Sequence, residues 1–421
     1  MERLNYDIVV IGGGPAGMAA ALSAKKAGAE KILICERGSK LGGILEQCIH
    51  NGFGLSYFKE ELTGPEYASR FIKEVEKSDI DYKVNTMVID IQDDKKVIAI
   101  NSKDGLFEVD TKAVILAMGC RERTREAITI PGDRPAGVMT AGAAQRYVNV
   151  AGYLPGKEIV ILGSGDIGLI MARRMTLEGA NVKGVLEVMP FSSGLVRNKV
   201  QCLDDFGIPL YLSHTVTKIH GKERLEGVTI AKVDEKRNPI KETEKYIPCD
   251  TLLLSVGLIP ENELSKKVGV ELDRTTKGAV TDEKRRTSVE WVFACGNVLH
   301  VHDLVDNVSQ EAELAGKSAA EYIQGKFVPR KQRLHVHPGE NIGYVVPQNI
   351  DYECTDEKIY KLYMRVRSPK EHINMVIRDG AGNELAKFKK DIVEPGSMVA
   401  LTLPTAKVTD DMTDITVACE E

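Results

Sequence analysis

No apolar run in this 421-residue chain approaches the roughly 18 residues of a membrane-spanning helix, so no spanning helix is expected. No charge of one sign dominates either. The net charge of −5 gives no reason to invoke nucleic acid or an anionic membrane. The eight cysteines, Cys35, Cys48, Cys120, Cys202, Cys249, Cys295, Cys354 and Cys419, are scattered and form no C-x-x-C. Neither a zinc knuckle nor a disulfide framework reads out, and a reducing cytoplasm is the expected compartment. The first apolar strand begins by residue 6, so no signal peptide is expected. What remains is the composition of a soluble globular protein, 43% hydrophobic and 28% charged, too long for one core.

Two glycine fingerprints organise the chain. Gly12-Gly13-Gly14-Pro15-Ala16-Gly17 and Gly163-Ser164-Gly165-Asp166-Ile167-Gly168 both fit G-x-G-x-x-G. Apolar strands precede them, Tyr6–Ile11 and Glu158–Leu162, and small-residue helices follow. Glu36 stands 19 residues after Gly17, and Glu187 stands 19 residues after Gly168. In a strand–turn–helix unit the glycines let the backbone approach a pyrophosphate at the helix N-terminus, and the later acid accepts from ribose hydroxyls. Two such units imply two dinucleotide sites in one polypeptide. Glu187, with no arginine directly after it, would repel a 2′-phosphate, so the second site is expected to prefer NAD(H) over NADP(H).

The surrounding pattern repeats as well. Each fingerprint is followed by a β-meander, near 83–110 and 215–247, and then by a buried strand, Ala113–Ala117 and Thr251–Val256. Helices are expected near 65–77 and 308–324, with a short strand into a turn at Trp291–Asn297. The duplication predicts two similar domains. From about residue 330, prolines and alternating strands such as Ile359–Val366 replace that pattern, and an all-β appendage is expected there.

The paired fingerprints, the strand ends Ala117-Met118-Gly119 and Ser255-Val256-Gly257, and the late Phe293-Ala294-Cys295-Gly296-Asn297 resemble the two-dinucleotide-domain flavoproteins. Thioredoxin reductases, glutathione-reductase-like enzymes and NADH oxidases belong to that group. The resemblance covers about residues 1–328. It implies an α/β fold of two Rossmann-like, three-layer ββα domains, with the NAD domain inserted in the FAD domain. The implied boundaries are 1–120 and 288–328 for FAD, 121–287 for NAD(P)H, and 329–421 for a small β domain. It implies FAD on Gly12, Gly14, Pro15, Ala16 and Gly17, with Glu36 at the ribose and Arg37 among the cofactor-binding residues. Gly42 and Gly43 would approach the phosphates, and the Val88 backbone the adenine. Ala117 and Gly119 would also bind the cofactor, Gly296 and Asn297 would face the ribityl and pyrophosphate, and Val308 would open a helix whose N-terminus faces the flavin pyrimidine. The nicotinamide nucleotide would take Gly163, Gly165, Asp166, Ile167, Gly168, Glu187 and Gly257. Asn297 replaces the usual aspartate, which is expected to weaken one bond to FAD, and Met118 replaces the usual threonine.

Gly119-Cys120-Arg121-Glu122-Arg123 and Asp133–Gly142 are similar to the flavoprotein subunits of sarcosine, opine, proline and cyanide-forming amine dehydrogenases. Gly42–Gly54 is closer to a flavoprotein associated with anaerobic glycerol-3-phosphate dehydrogenase. That resemblance implies electron transfer between NADH and a small-molecule or protein acceptor, and a homo- or hetero-oligomer with a possible dehydrogenase partner; the alternatives are the electron-accepting subunit of a glycerol-3-phosphate or amine dehydrogenase, and a non-catalytic flavoprotein scaffold that docks a partner. Cys48, two residues before His50, is the candidate redox residue: a nearby histidine would lower its pKa. The other reading is a small buried apolar residue. No second cysteine stands four or five residues away, which disfavours dithiol exchange. Arg121, Arg123 and Arg125 are either a contact for a carboxylate or partner, or a solvated turn. His300 and His302 are expected to shape the edge of the flavin pocket, and no metal is assigned.

Overall fold

The computed structural model describes residues 2–353 and 358–421, so Cys354 lies outside the described residues. The chain divides into two compact units, Met1–Cys120 with Pro260–Glu421, and Arg121–Ile259. Among the described residues no helix is long and apolar enough to cross a membrane.

The first unit is built on a seven-stranded sheet. Strands Asp81–Lys83, Ile32–Cys35, Glu2–Ile11 and Gly105–Leu116 lie side by side and parallel. Gly105–Leu116 also pairs antiparallel with Lys96–Asn101 and, at its far end, parallel with Val292–Ala294. The expected last meander strand and the expected buried strand are therefore one strand of 12 residues. Its burial alternates early and is continuous late, because only the late half is covered on both faces.

The helix Pro15–Lys26 starts with proline in its first turn and buries an alanine face. The late helix Val305–Ile323 packs on it through Ala312, Ala315 and Ala319. Small residues let the two backbones close up: a Cβ on Gly316 would stand 2.0 Å from the Ala20 carbonyl oxygen. A capping box of Thr63 and Glu66 starts the helix Gly64–Glu76.

Residues 260–287 belong with the first unit rather than the second, which corrects the expected boundary at 287. The cause is packing. Val268, Val270 and Ala279 share a core with Val88, Val97 and Trp291. Asn262 Nδ2 donates to the carbonyls of Lys277 (2.9 Å) and Val298 (3.0 Å).

The C-terminal strands form a five-stranded and a three-stranded sheet around one apolar core. They are not a free appendage. Glu283 accepts from the backbone N–H of Asp351 (2.8 Å) and Tyr352 (2.9 Å), and Asp303 pairs with Arg365.

The second unit carries a parallel sheet in the order Val138–Thr140, Thr251–Leu254, Glu158–Leu162, Asn181–Glu187, Leu210–Leu212. Helix Asp166–Leu177 follows the second fingerprint, and strands His214–His220, Gly227–Lys232 and Lys245–Pro248 form the meander.

Candidate functional site

The two fingerprints have the same internal geometry. Gly12 and Gly163 have φ of 109° and 103°, the left-handed region that favours glycine. A Cβ on Gly12 would lie 2.4 Å from the Ala117 carbonyl oxygen, and one on Gly163 would lie 2.0 Å from that of Ser255. A Cβ on Gly17 or Gly168 would strike the carbonyl of the first glycine, at 1.8 Å and 2.4 Å. The first and third glycines thus fix strand, turn and helix together. The middle glycines do not. Nothing stands closer than 3.8 Å to a Cβ on Gly14 or Gly165, so the backbone there opens onto space a pyrophosphate can take. Both helices are capped by that middle glycine, with no side-chain cap on their N–H groups.

The acids are held alike. Glu36, 9% exposed, accepts from Gly13 N–H and Gly38 N–H, both at 2.6 Å. Glu187, 5% exposed, accepts from Ser164 N–H (3.1 Å), Ser164 Oγ (2.6 Å) and Met189 N–H (2.9 Å). Each carboxylate is tied to the second residue of its own fingerprint and to the residue two places after itself. A carboxylate fixed in this way presents its remaining lone pairs to a ribose diol. Arg37 is exposed beside Glu36.

The remaining expected residues divide by cradle. In the first, Gly42 N–H donates to Gly13 O (2.9 Å), which brings the Gly42–Gly43 turn, with φ of 112° and 58°, onto the fingerprint. Val88 lies in the ladder opposite Ala99, just after the loop in which Thr86 N–H donates to Glu36 O (2.9 Å). Ala117 N–H donates to Ile11 O (2.9 Å), and Gly119 has open space at its Cβ position. A Cβ on Gly296 would stand 2.8 Å from Ala16 and 3.3 Å from Val308, so the late segment closes onto the fingerprint helix. In the second, Asp166 turns to the following loop and accepts from Leu195 N–H (2.8 Å) and Asn198 Nδ2 (2.7 Å). Ile167 is half-buried on the helix, and Gly257 O accepts from Arg123 N–H (3.0 Å).

Asn297 is held by contacts within the protein. Its Oδ1 accepts from His302 N–H (3.1 Å) and its Nδ2 lies 3.6 Å from Cys120 Sγ. Arg125 is corrected: it is buried and donates to the carbonyls of Ile130, Gly132 and Asp133, so it staples its own loop rather than extending a basic surface.

Cys48 ends a short 3-10 turn, and its Sγ donates to Ile44 O at 3.3 Å. Burial pushes its thiol up to about 12, opposite to the expected lowering. His50 Nδ1 lies 3.1 Å from Asn51 O, and its ring lies 4.9 Å from that of Phe53. Among the described residues no cysteine is joined in a disulfide.

Two constellations were not legible from the motifs. Asp306, in the first turn of the late helix, accepts from Gly54 N–H (2.9 Å), Ser56 N–H (2.7 Å) and Tyr57 N–H (3.1 Å). It clamps the loop that follows Cys48. Glu311 is a hub. Its oxygens face His300 Nε2 (2.9 Å), Arg285 Nε (3.0 Å), His302 Nε2 (3.0 Å) and Gly296 N–H (3.0 Å). Its neighbours hold its carboxyl well below the ordinary range, against its own burial. Burial pushes His300 down to about 4. The donor atoms of the two histidines and Glu311 lie within 4.8 Å of one another, as a metal would require. Both carboxylate oxygens are already taken, one by a guanidinium, and we read the cluster as a proton-ordered hub.

The family model described as pyridine nucleotide-disulphide oxidoreductase matches residues 6–319. An opine oxidase subunit of Agrobacterium tumefaciens is 28% identical over 336 residues, 75% of this chain and 64% of that one. Hydrogen cyanide synthase subunit HcnB of Pseudomonas protegens is 28% identical over 340 residues, 75% of this chain and 70% of that one. The chain thus spans about two thirds of the length of these relatives. Among solved structures, Lactococcus lactis thioredoxin reductase aligns with a TM-score of 0.62 at 21% identity, covering 76% of this chain and 99% of that one. That likeness concerns the fold.

Proposed function

The chain belongs to the pyridine nucleotide-disulphide oxidoreductase family, with FAD and NAD(P)H as its cofactors, and from that premise we propose that it passes electrons from NADH through FAD to an acceptor. The observation that carries this reading is the duplicated cradle: two open middle glycines, two helices with no side-chain cap and two anchored acids. FAD, held by the first cradle, supplies two-electron chemistry with a nicotinamide. The protein's own part is orientation. Glu36 fixes the FAD ribose, and Glu187 fixes the NADH ribose and disfavours a 2′-phosphate. Gly14 and Gly165 admit the pyrophosphates, and Asp306 holds the Cys48 loop in place.

Dithiol exchange is disfavoured by the lone Cys48 and by the thiol form that burial imposes on it. A second reading has the chain as the electron-handling subunit of an amine or glycerol-3-phosphate dehydrogenase. The subunit names of the two relatives favour it.

Anaerobic titration tests the first reading. FAD-loaded protein should bleach with one equivalent of NADH, and less readily with NADPH. A colourless preparation that rebinds no FAD overturns it. Native co-purification tests the second, which fails if no second subunit follows the tagged chain.

A further inference from the structure

Away from both cradles, a cavity of about 770 Å³ opens in the first unit. Its walls come from the helices Pro15–Lys26, Gly64–Glu76 and Val305–Ile323 and from the strand Ile359–Val366. Tyr57, Phe58, Phe71, Tyr360 and Tyr363 supply rings to it. None of its lining residues belongs to either glycine cradle.

Arg285 lines the cavity with its side chain only 1% exposed. Its Nε is committed to Glu311, but its two terminal nitrogens have no hydrogen-bond partner among the described residues, and they are not sealed from the cavity. A buried guanidinium with a free N–H fork is costly unless something takes it. The backbone is committed to this placement too. Arg285 has φ of 62°, held by its N–H to Asp282 O (3.0 Å) and by Ala294 N–H to its carbonyl (3.0 Å).

The cations Lys26, Lys73 and Lys361 line the same space with no ion partner among the described residues. The cavity's acids are mostly engaged: Glu313 with Tyr57 Oη, Glu283 with two backbone N–H groups, Glu74 with Lys77. The balance favours a negative guest. A guanidinium fork matches a carboxylate or phosphate, and the aromatic walls match a ring.

We propose that this cavity binds an organic anion, a phosphate or carboxylate carried on a ring-sized apolar body, with its charged end on the terminal nitrogens of Arg285. The site is separate from both nucleotide cradles, and its occupancy does not depend on the electron-transfer reading above.

Calorimetric titration of the FAD-loaded full chain with phenyl phosphate, benzoate and inorganic phosphate tests it. One ring-bearing anion should bind saturably, at least tenfold more tightly than inorganic phosphate, and the better of the two identifies the headgroup. Arg285→Lys, which keeps the charge and loses the fork, should weaken that binding at least tenfold. Because Arg285 also pairs with buried Glu311, a second variant is needed. Leu314→Trp fills the cavity from the late helix without touching that pair. It should abolish binding and leave bleaching by NADH unchanged. The proposal is overturned if neither ring-bearing anion binds saturably, if neither exceeds inorganic phosphate, or if Leu314→Trp binds as tightly as the parent.

Discussion

At the scale of single residues, protons decide more than bonds do. His300 sits beside an ionised Glu311 yet is pushed down to about 4, because burial outweighs the attraction. In the unfolded chain the same imidazole titrates near 6.5. Between these values the unfolded state binds the extra proton, so this stabilisation is complete above pH 6.5 and is lost as pH falls toward 4. The span corresponds to at most about 3 kcal/mol. His300→Asn should therefore unfold in urea with a shallower loss of stability between pH 7 and pH 4.5 than the parent. Parallel curves would show that the ring is not buried and neutral. Cys48 follows the same logic. Its thiol is pushed up to about 12, so alkylation by iodoacetamide at pH 7.5 should be at least tenfold slower than that of free cysteine. Cys48→Ser should leave bleaching by NADH within about twofold if the thiol is packing and not a relay.

At the scale of elements, the glycine turns separate folding from binding. Gly17→Ala would push a methyl to 1.8 Å from a backbone oxygen that cannot move without breaking the strand–helix turn. It should cost upwards of about 2 kcal/mol, read as a lowered melting temperature with or without FAD. Gly14→Ala has open space and an extended backbone, with φ of −76°, so folding should be intact and FAD affinity should fall at least tenfold. Equal melting losses in the two variants would refute this division of labour. Glu187→Gln should likewise raise the KM for NADH about tenfold and narrow the preference over NADPH, while kcat moves little. These turns were legible in the sequence because the constraint is local: spacing alone gives the turn, the cap and the acid. The Glu311 hub was not legible. Arg285, His300, His302 and Glu311 come from a loop, a turn and a helix, and no short spacing encodes their convergence on one carboxylate. The boundary at 259 was hidden for a related reason. Val268, Val270 and Ala279 look like any strand residues until the fold shows which core they enter. The strand Gly105–Leu116 was divided in two because its burial pattern changes halfway along, where its second face becomes covered.

At the scale of the molecule, the C-terminal strands have their own core, yet they share one compact unit with the first fingerprint. Three links explain why. Val346 enters the core beneath the first sheet. Asp303, just past the His300–His302 turn, takes Arg365 and the Met398 N–H. Glu283, beside Arg285, depends on the backbone of Asp351 and Tyr352 for both of its oxygens. Removing residues 329–421 would leave Glu283 and Asp303 without these donors and would uncover His300, which lies against the rings of Tyr344 and Tyr363. Burial pushes Glu283 up to about 8, so it loses hydrogen bonds rather than an ion pair, at about 1–3 kcal/mol for a buried polar group left unsatisfied, while Asp303 loses its guanidinium partner. The chain 1–328 should therefore be recovered with at most a small fraction of bound FAD, and should melt at least 10 °C below the full chain by the usual scaling of stability with melting temperature. Arg365→Ala, which cuts one link only, should show the same direction at smaller size, about 2 kcal/mol in urea. If 1–328 keeps its flavin and its melting temperature, the strands are an attachment and the Asp303 and Glu283 contacts carry no weight. If both variants lose flavin in proportion to stability, the C-terminal strands are part of what holds the first cradle in shape.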